Sequence, residues 1–446
     1  MALRTVIFWF RNDLRLVDNL ALREACAQAD RLLLVFVHDS GEDQPTPWGF
    51  VRRGPHRRAF QATALAALDE ALRARGSRLL QCAGAPAEVL VELVRRIGAD
   101  TVVCEDIPAP EEQAAVDALR AVGLRVETVW QSSLLDPATL PFDPSRLPPV
   151  FTAFRQAVEA AGCVPADPLP APVVLPPLPP KVEEIGEDAA FRGEHRSAPS
   201  GFSGRSAAQA AQASFPYWTP AFEGGEPAAQ AHLQGYFAGD LAHRYKATRN
   251  GLIGTDFSSK FSPWLAQGVL SPRSVYAALR AFEARRGASE GSYWLWFELL
   301  WRDYFRFLHL QHGRRLYRAR GLAGRAVPPA HDAAAFARWC RGETGQTLVD
   351  AGMRELAATG YLSNRLRQLV ASYLVNDLGC DWRAGAAWFE AQLVDYDVCS
   401  NQGNWLYIAG RGTDPRGGRR FNPDKQAQEH DPDGVYRRLW GCDVGA

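Results

Sequence analysis

The segment VDYDVCSNQGNWLYIAG, Val394 to Gly410, places Asp395, Asp397 and Asn401 beside Trp405 and Tyr407. Polar groups next to so much aromatic surface suit a site that grips a planar, hydrogen-bonding ring and moves electrons to or from it. A polar helix end is the ordinary alternative. Upstream, in TGYLSNRLRQ, Asn364, Arg367 and Gln368 fall on neighbouring turns of one expected helix. An unpaired buried aspartate is costly, so Asp395 is expected to pair with an arginine such as Arg367. In FELLWRDYF, Glu298 and Arg302 stand four apart on a helix carrying Trp301. An intrahelical ion pair would explain that spacing, but the apolar surroundings favour a functional carboxylate. GTDFSSKFSPW, Gly254 to Trp264, supplies hydroxyls, a lysine and turn residues ahead of a helix, the makings of a phosphate cradle. On its own it would read as a Ser-rich cap.

These residues need a scaffold, and at 446 residues the chain exceeds one compact core. TVIFWF, RLLLVFVHD, SRLLQCAG, DTVVCED and LRVETVW are short apolar runs alternating with Ala/Arg/Glu/Leu stretches of helical spacing. That alternation predicts a doubly wound parallel α/β domain over residues 1–133. No GxGxxG follows the first run, so the usual dinucleotide fingerprint is absent there. Residues 134–206 are rich in proline, which locks φ and removes a donor, and read as an interdomain connector with at most one helix, FTAFRQAVEAAG. Residues 207–446 read as an all-helical domain, with GSYWLWFELLWRDYFRFLHLQHG apolar on nearly every face and so mostly buried.

Lys+Arg and Asp+Glu both total 50, so contact with a polyanion must come from local patches. The tract AGRGTDPRGGRRFNPDKQ offers Arg411, Arg416, Arg419, Arg420 and Lys425 against Asp414 and Asp424; a solvated surface explains such runs equally well. The eight cysteines form no CxxC and the histidines no HExxH, so no metal site or disulfide framework is expected. His309 and His312 read as a satisfied surface pair. The start of the chain does not resemble a secretory signal, and no apolar run reaches membrane-spanning length. A cytoplasmic monomer without membrane contact is expected.

FWFRNDLRLVDNLAL, ELLWRDYF, TGYLSNRLRQLVASYLVNDL, DWRAGAAWF and DYDVCSNQGNW together resemble the photolyase/cryptochrome family, and within it the DASH branch, over nearly the whole chain. The resemblance implies FAD in the helical domain. Tyr245, Ser258, Ser259, Lys260, Phe261 and Ser262 would hold its pyrophosphate side. Asp395 would pair with Arg367, Asp397 would accept from the ring N3–H, and Asn401 would face N5. Trp405 and Trp382 match the first two relay tryptophans. The third position falls near Pro329, which cannot carry a radical, leaving Trp339 and Trp388 as candidate ends. Glu298 and Asn364 match residues that hydrogen-bond a cyclobutane pyrimidine dimer, with Trp301 stacking beside it. Gln368 and Tyr407 replace the methionine and tryptophan of typical dimer photolyases. The histidines that (6-4) chemistry needs as proton donors are absent from positions 364 and 368.

Arg249, Arg302, Arg365 and Gln426 match further DNA-contact positions. A flipped dimer loses one tryptophan stack here, and stacking contributes about 1–3 kcal/mol per base, so single-stranded or looped DNA is the expected substrate. Glu105 or Asp106 would hold an antenna, methenyltetrahydrofolate in DASH members. The function implied is blue-light-driven dimer repair by excited reduced flavin. The alternatives are a non-enzymatic photoreceptor, disfavoured by the short ending GVYRRLWGCDVGA and the retained Glu298 and Asn364, and a dark flavin electron carrier.

Overall fold

The structure, a computed structural model, describes residues 3–180, 182–187, 206–324, 329–414 and 417–442. Five apolar runs form strands: β1 (Thr5–Phe10), β2 (Arg31–Asp39), β3 (Leu79–Gly84), β4 (Thr101–Glu105) and β5 (Val126–Val129). They pair in parallel in the order β3-β2-β1-β4-β5. β1 is buried along its whole length because side chains alternate between two covered faces. Ile7 and Trp9 pack with Leu90, Leu93, Val116 and Leu119 of the outer helices. Val6, Phe8 and Phe10 share a core with Phe215, Tyr236 and Trp264, residues of the helical part of the chain. One face of the sheet is thus also a wall for the helices.

The Pro-rich connector holds the expected helix, Phe151–Ala160, but also a second one, Val182–Glu187. Val182 and Ile185 bury against the outer face of the sheet, and that burial, which composition does not reveal, stabilises the extra turn.

The longest helix, Glu290–His312, begins with a capping box between Ser289 and Ser292. It packs against the helices Leu241–Thr248, Pro272–Arg286 and Val398–Ile408 and the connector helix. Gly291 makes the approach to Leu241–Thr248 possible, because a Cβ there would stand 2.0 Å from the His243 carbonyl oxygen. Among the described residues no helix is long and apolar enough to cross a membrane.

Candidate functional site

A cavity of about 530 Å³ opens within the helical domain. Helical periodicity aims the motif residues into it. Asp397 caps the N-terminus of Val398–Ile408, accepting from the Ser400 N–H at 2.8 Å. Asn401 and Trp405 follow at successive four-residue steps and line the same wall. Ser363 caps Asn364–Asn376, so Asn364 and Gln368 share one face and Arg367 stands beside them. Glu298, Trp301, Arg302 and Phe305 form the facing stripe of the long helix. Tyr245 and the run Ser258 to Ser262 close one end.

The wall carries strong, partly unanswered polarity. Arg367 donates to Asp395 Oδ2 at 2.8 Å, and Ser262 Oγ donates to the same oxygen at 2.7 Å, as the motif reading expects for the pair. Asp395 Oδ1 and Lys260 Nζ are buried and have no hydrogen-bond partner among the described residues. Burial pushes the Lys260 ammonium well below its ordinary pKa. Its φ is +57°, uncommon for a residue with a side chain. A buried lysine and a spare carboxylate oxygen on one cavity suit a ligand with an anionic group and an N–H edge. Burial alone would raise Asp397, but Arg306 and Arg302 hold it well below the carboxylate range. The Asn401 amide nitrogen donates to the Ala386 carbonyl at 3.1 Å, which fixes its orientation.

Geometry decides which partners these side chains take. Glu298 and Arg302 do not pair along their helix; Glu298 pairs with Arg249, which lies over Trp294 with 4.5 Å between guanidinium carbon and ring centre. Arg302 lines the cavity, and its guanidinium turns toward the protein interior. It donates to the carbonyls of Ser132 and Leu265 and approaches Asp397 to 3.9 Å. Arg365 donates to Asn250 Oδ1 at 3.1 Å and reaches Gln426 Oε1 at 3.5 Å, outside the cavity wall. Burial and Asp13 push the Glu105 carboxyl up to about 8, but it faces an interdomain cleft of only about 20 Å³. Asp106 instead accepts from Gln113 at 2.7 Å. Among the described residues of 134–206 there are two α-helices, Phe151–Ala160 and Val182–Glu187, where the composition suggested at most one. Arg416 lies outside the described residues, and Arg420 pairs with Asp377 at 2.8 Å.

Some contributors escaped sequence reasoning. Arg306 is the direct partner of Asp397; its place one turn beyond Arg302 was the available signal. Phe151, from the connector, stacks on Trp301 at 3.8 Å and 11°, and nothing local in the sequence announces that contact. Tyr407 meets the edge of Trp301 at 6.0 Å, while Arg419 Nε donates to its hydroxyl at 2.8 Å. Trp382 and Trp405 are both buried.

A parallel α/β domain joined by a connector to a helical domain with an aromatic, aspartate-lined cavity defines a flavoprotein of the photolyase class. Residues 6–173 match the model described as DNA photolyase, and residues 294–443 the one described as FAD binding domain of DNA photolyase. The chain is 41% identical over 452 residues to a cryptochrome DASH of Gloeobacter violaceus, covering 99% of this chain and 86% of that one. It is 43% identical to a cryptochrome DASH of Xenopus laevis, covering 98% and 82%. A Synechocystis cryptochrome crystal structure superposes with a TM-score of 0.89 at 41% identity, covering 99% of this chain and 89% of that one. The chain belongs to the photolyase/cryptochrome family. Its cofactor is FAD, and Lys260 Nζ and Asp395 Oδ1, without hydrogen-bond partners among the described residues, suit a ligand with an anionic group and polar ring atoms.

Proposed function

We propose that the protein repairs cyclobutane pyrimidine dimers under blue light, preferring single-stranded or looped DNA. The observation that carries this reading is convergence. Glu298, Asn364, Gln368, Trp301 and Tyr407 line the same cavity as Asp395, Asp397 and Asn401, so a lesion and a flavin would share one enclosure. Reduced, photoexcited FAD would supply one electron to the dimer and regain it once the two cyclobutane C–C bonds have broken, leaving no net redox change.

The chain's own residues bind and orient. Asp397, kept ionised by Arg306, would accept from the flavin ring N3–H, while Arg367 and Ser262 hold Asp395 in place. Lys260 and Ser258 to Ser262 take the pyrophosphate. Burial raises the Glu298 carboxyl against the opposing pull of Arg249, and the pairing with Arg249 holds it on the cavity wall for a hydrogen bond to a pyrimidine. Asn364 adds a second polar contact. Trp301, backed by Phe151, presents its free face for stacking. Trp405, on the cavity wall, is placed to pass electrons to the ring, and Arg249, Arg365, Arg419 and Gln426 form the rim facing the strand.

The cryptochrome names of the relatives support a second reading, a light sensor that binds nucleic acid or a partner. Illumination of the purified, chemically reduced protein with dimer-bearing single strands and duplexes, beside a dark control, separates the two. Light-dependent splitting, faster on single strands, is the expected result. No splitting in any illuminated reaction overturns the repair reading in favour of the sensor, and equal turnover on duplex overturns the strand preference.

A further inference from the structure

Pro329 has no ring that could be oxidised, so a path through Trp382 toward that position has no indole to end on. Trp382 is 1% exposed and donates its N–H to the Ala319 carbonyl at 3.0 Å. Among the described residues the rings paired with Trp405 are Phe389 and Trp339, not Trp382. Phe389 meets Trp405 edge-on at 5.1 Å, and Trp339 meets it at 6.4 Å and 75°. Phe389 also stacks on Trp339 at 6.3 Å, which closes a three-ring cluster behind the cavity wall.

The aromatic contacts continue outward. Phe336 stacks on the fully buried Trp339 at 5.9 Å and 23°. On its other side Phe336 lies 6.5 Å from Trp48, a half-buried residue of the N-terminal domain. His331, exposed, meets Trp48 at 4.8 Å and Phe336 at 5.4 Å. The series thus begins at the cavity, crosses between domains and ends at solvent. Trp388, the other candidate, touches Phe50 at 5.0 Å.

We propose that Trp405, Trp339 and Trp48 form the electron-entry route of this chain, with Trp48 as the terminal donor in place of the ring absent at Pro329. The inference rests on the flavin reading alone and is independent of what the reduced protein acts on. Trp405 gives one electron to the photoexcited oxidised flavin, which is the oxidant. Trp339 refills Trp405, and Trp48 refills Trp339. Tunnelling decays exponentially with separation, so contacting rings favour short hops; Phe336, too hard to oxidise, is the medium between two indoles. Burial disfavours positive charge on Trp339, whereas water stabilises it at Trp48, so the hole is drawn outward. Trp48 then loses its N–H proton to water, and an external thiol returns one electron and one proton to it.

The test uses the full-length, FAD-loaded, oxidised protein under blue flashes, read by transient absorption and electron paramagnetic resonance. Bound flavin and circular dichroism are measured for each variant. Trp339→Phe and Trp48→Phe are expected to lose the long-lived indolyl radical and to slow thiol-supported bleaching of the flavin. Trp48→Tyr is expected to restore a long-lived signal with tyrosyl character, which a merely structural role would not produce. A radical that survives both Trp339→Phe and Trp48→Phe overturns the route, as does its loss in Trp382→Phe when Trp48→Phe retains it. Flavin bound without any radical in the unsubstituted protein removes light-driven electron entry altogether, whatever the variants do.

Discussion

Replacing Arg367 with methionine keeps most of the side-chain volume and removes the charge that answers Asp395. The Asp395 side chain is 2% exposed, and its remaining protein support is one hydroxyl, Ser262 Oγ at 2.7 Å. Its other oxygen already has no partner among the described residues. Stripping the guanidinium from a buried pair costs about 3–5 kcal/mol, because the surviving charge is uncompensated. That is a large share of the roughly 5–15 kcal/mol that keeps a domain folded. Asp395→Asn is gentler. Arg367 is 22% exposed and retains the Leu362 carbonyl at 2.9 Å, so about 1–3 kcal/mol is expected. The double variant leaves no orphaned charge and should be more stable than the summed losses by about 2 kcal/mol, within the range of coupled contacts. Urea denaturation of the FAD-free protein measures all four corners of the cycle. Repeating it with saturating FAD adds the linked loss of cofactor affinity. Losses that add to within about 0.5 kcal/mol would refute the reasoning, since independent sites behave that way.

Gly385→Ala would place a Cβ 2.2 Å from Trp405 Cη2 and 2.6 Å from Leu374 Cδ2. Overpacking of that kind costs about 1–3 kcal/mol, and displacement of the indole should change near-ultraviolet circular dichroism; an unchanged melting temperature and spectrum would contradict it. The Asp397 carboxyl is held below its ordinary value of 3.8, so its ion pair with Arg306 contributes stability that is complete above that pH and is lost as the pH falls through the lowered value. Asp397→Asn should therefore flatten the acid side of the stability profile, and an unaltered acid slope would show that the pair is not formed.

Much of this protein was legible before any tertiary contact was known. β1 to β5 stand where the apolar runs stood; β1, covered on both faces, is apolar at nearly every position, while the edge strand β5 carries Glu127 and Thr128 and is only partly buried. The four-residue steps joining Asp397, Asn401 and Trp405 needed only helical geometry to place them on one wall, and burial cost alone pointed Asp395 to Arg367. Pairings between elements were another matter. Glu298 had Arg302 one turn away, but the approach of the helix Leu241–Thr248 brought Arg249 closer and turned Arg302 toward Asp397. Glu105 ends a strand, as its sequence position announced, but the Arg15, Arg302 and Arg306 side chains that share its cleft come from distant stretches of chain. Phe151 behind Trp301, and Trp48 beyond Phe336, meet their partners across stretches of chain whose sequence mentions neither. Periodicity, capping and burial act between near neighbours and so are written along the chain. Which side chain answers a given charge or ring depends on how separate faces dock, and only packing decides that.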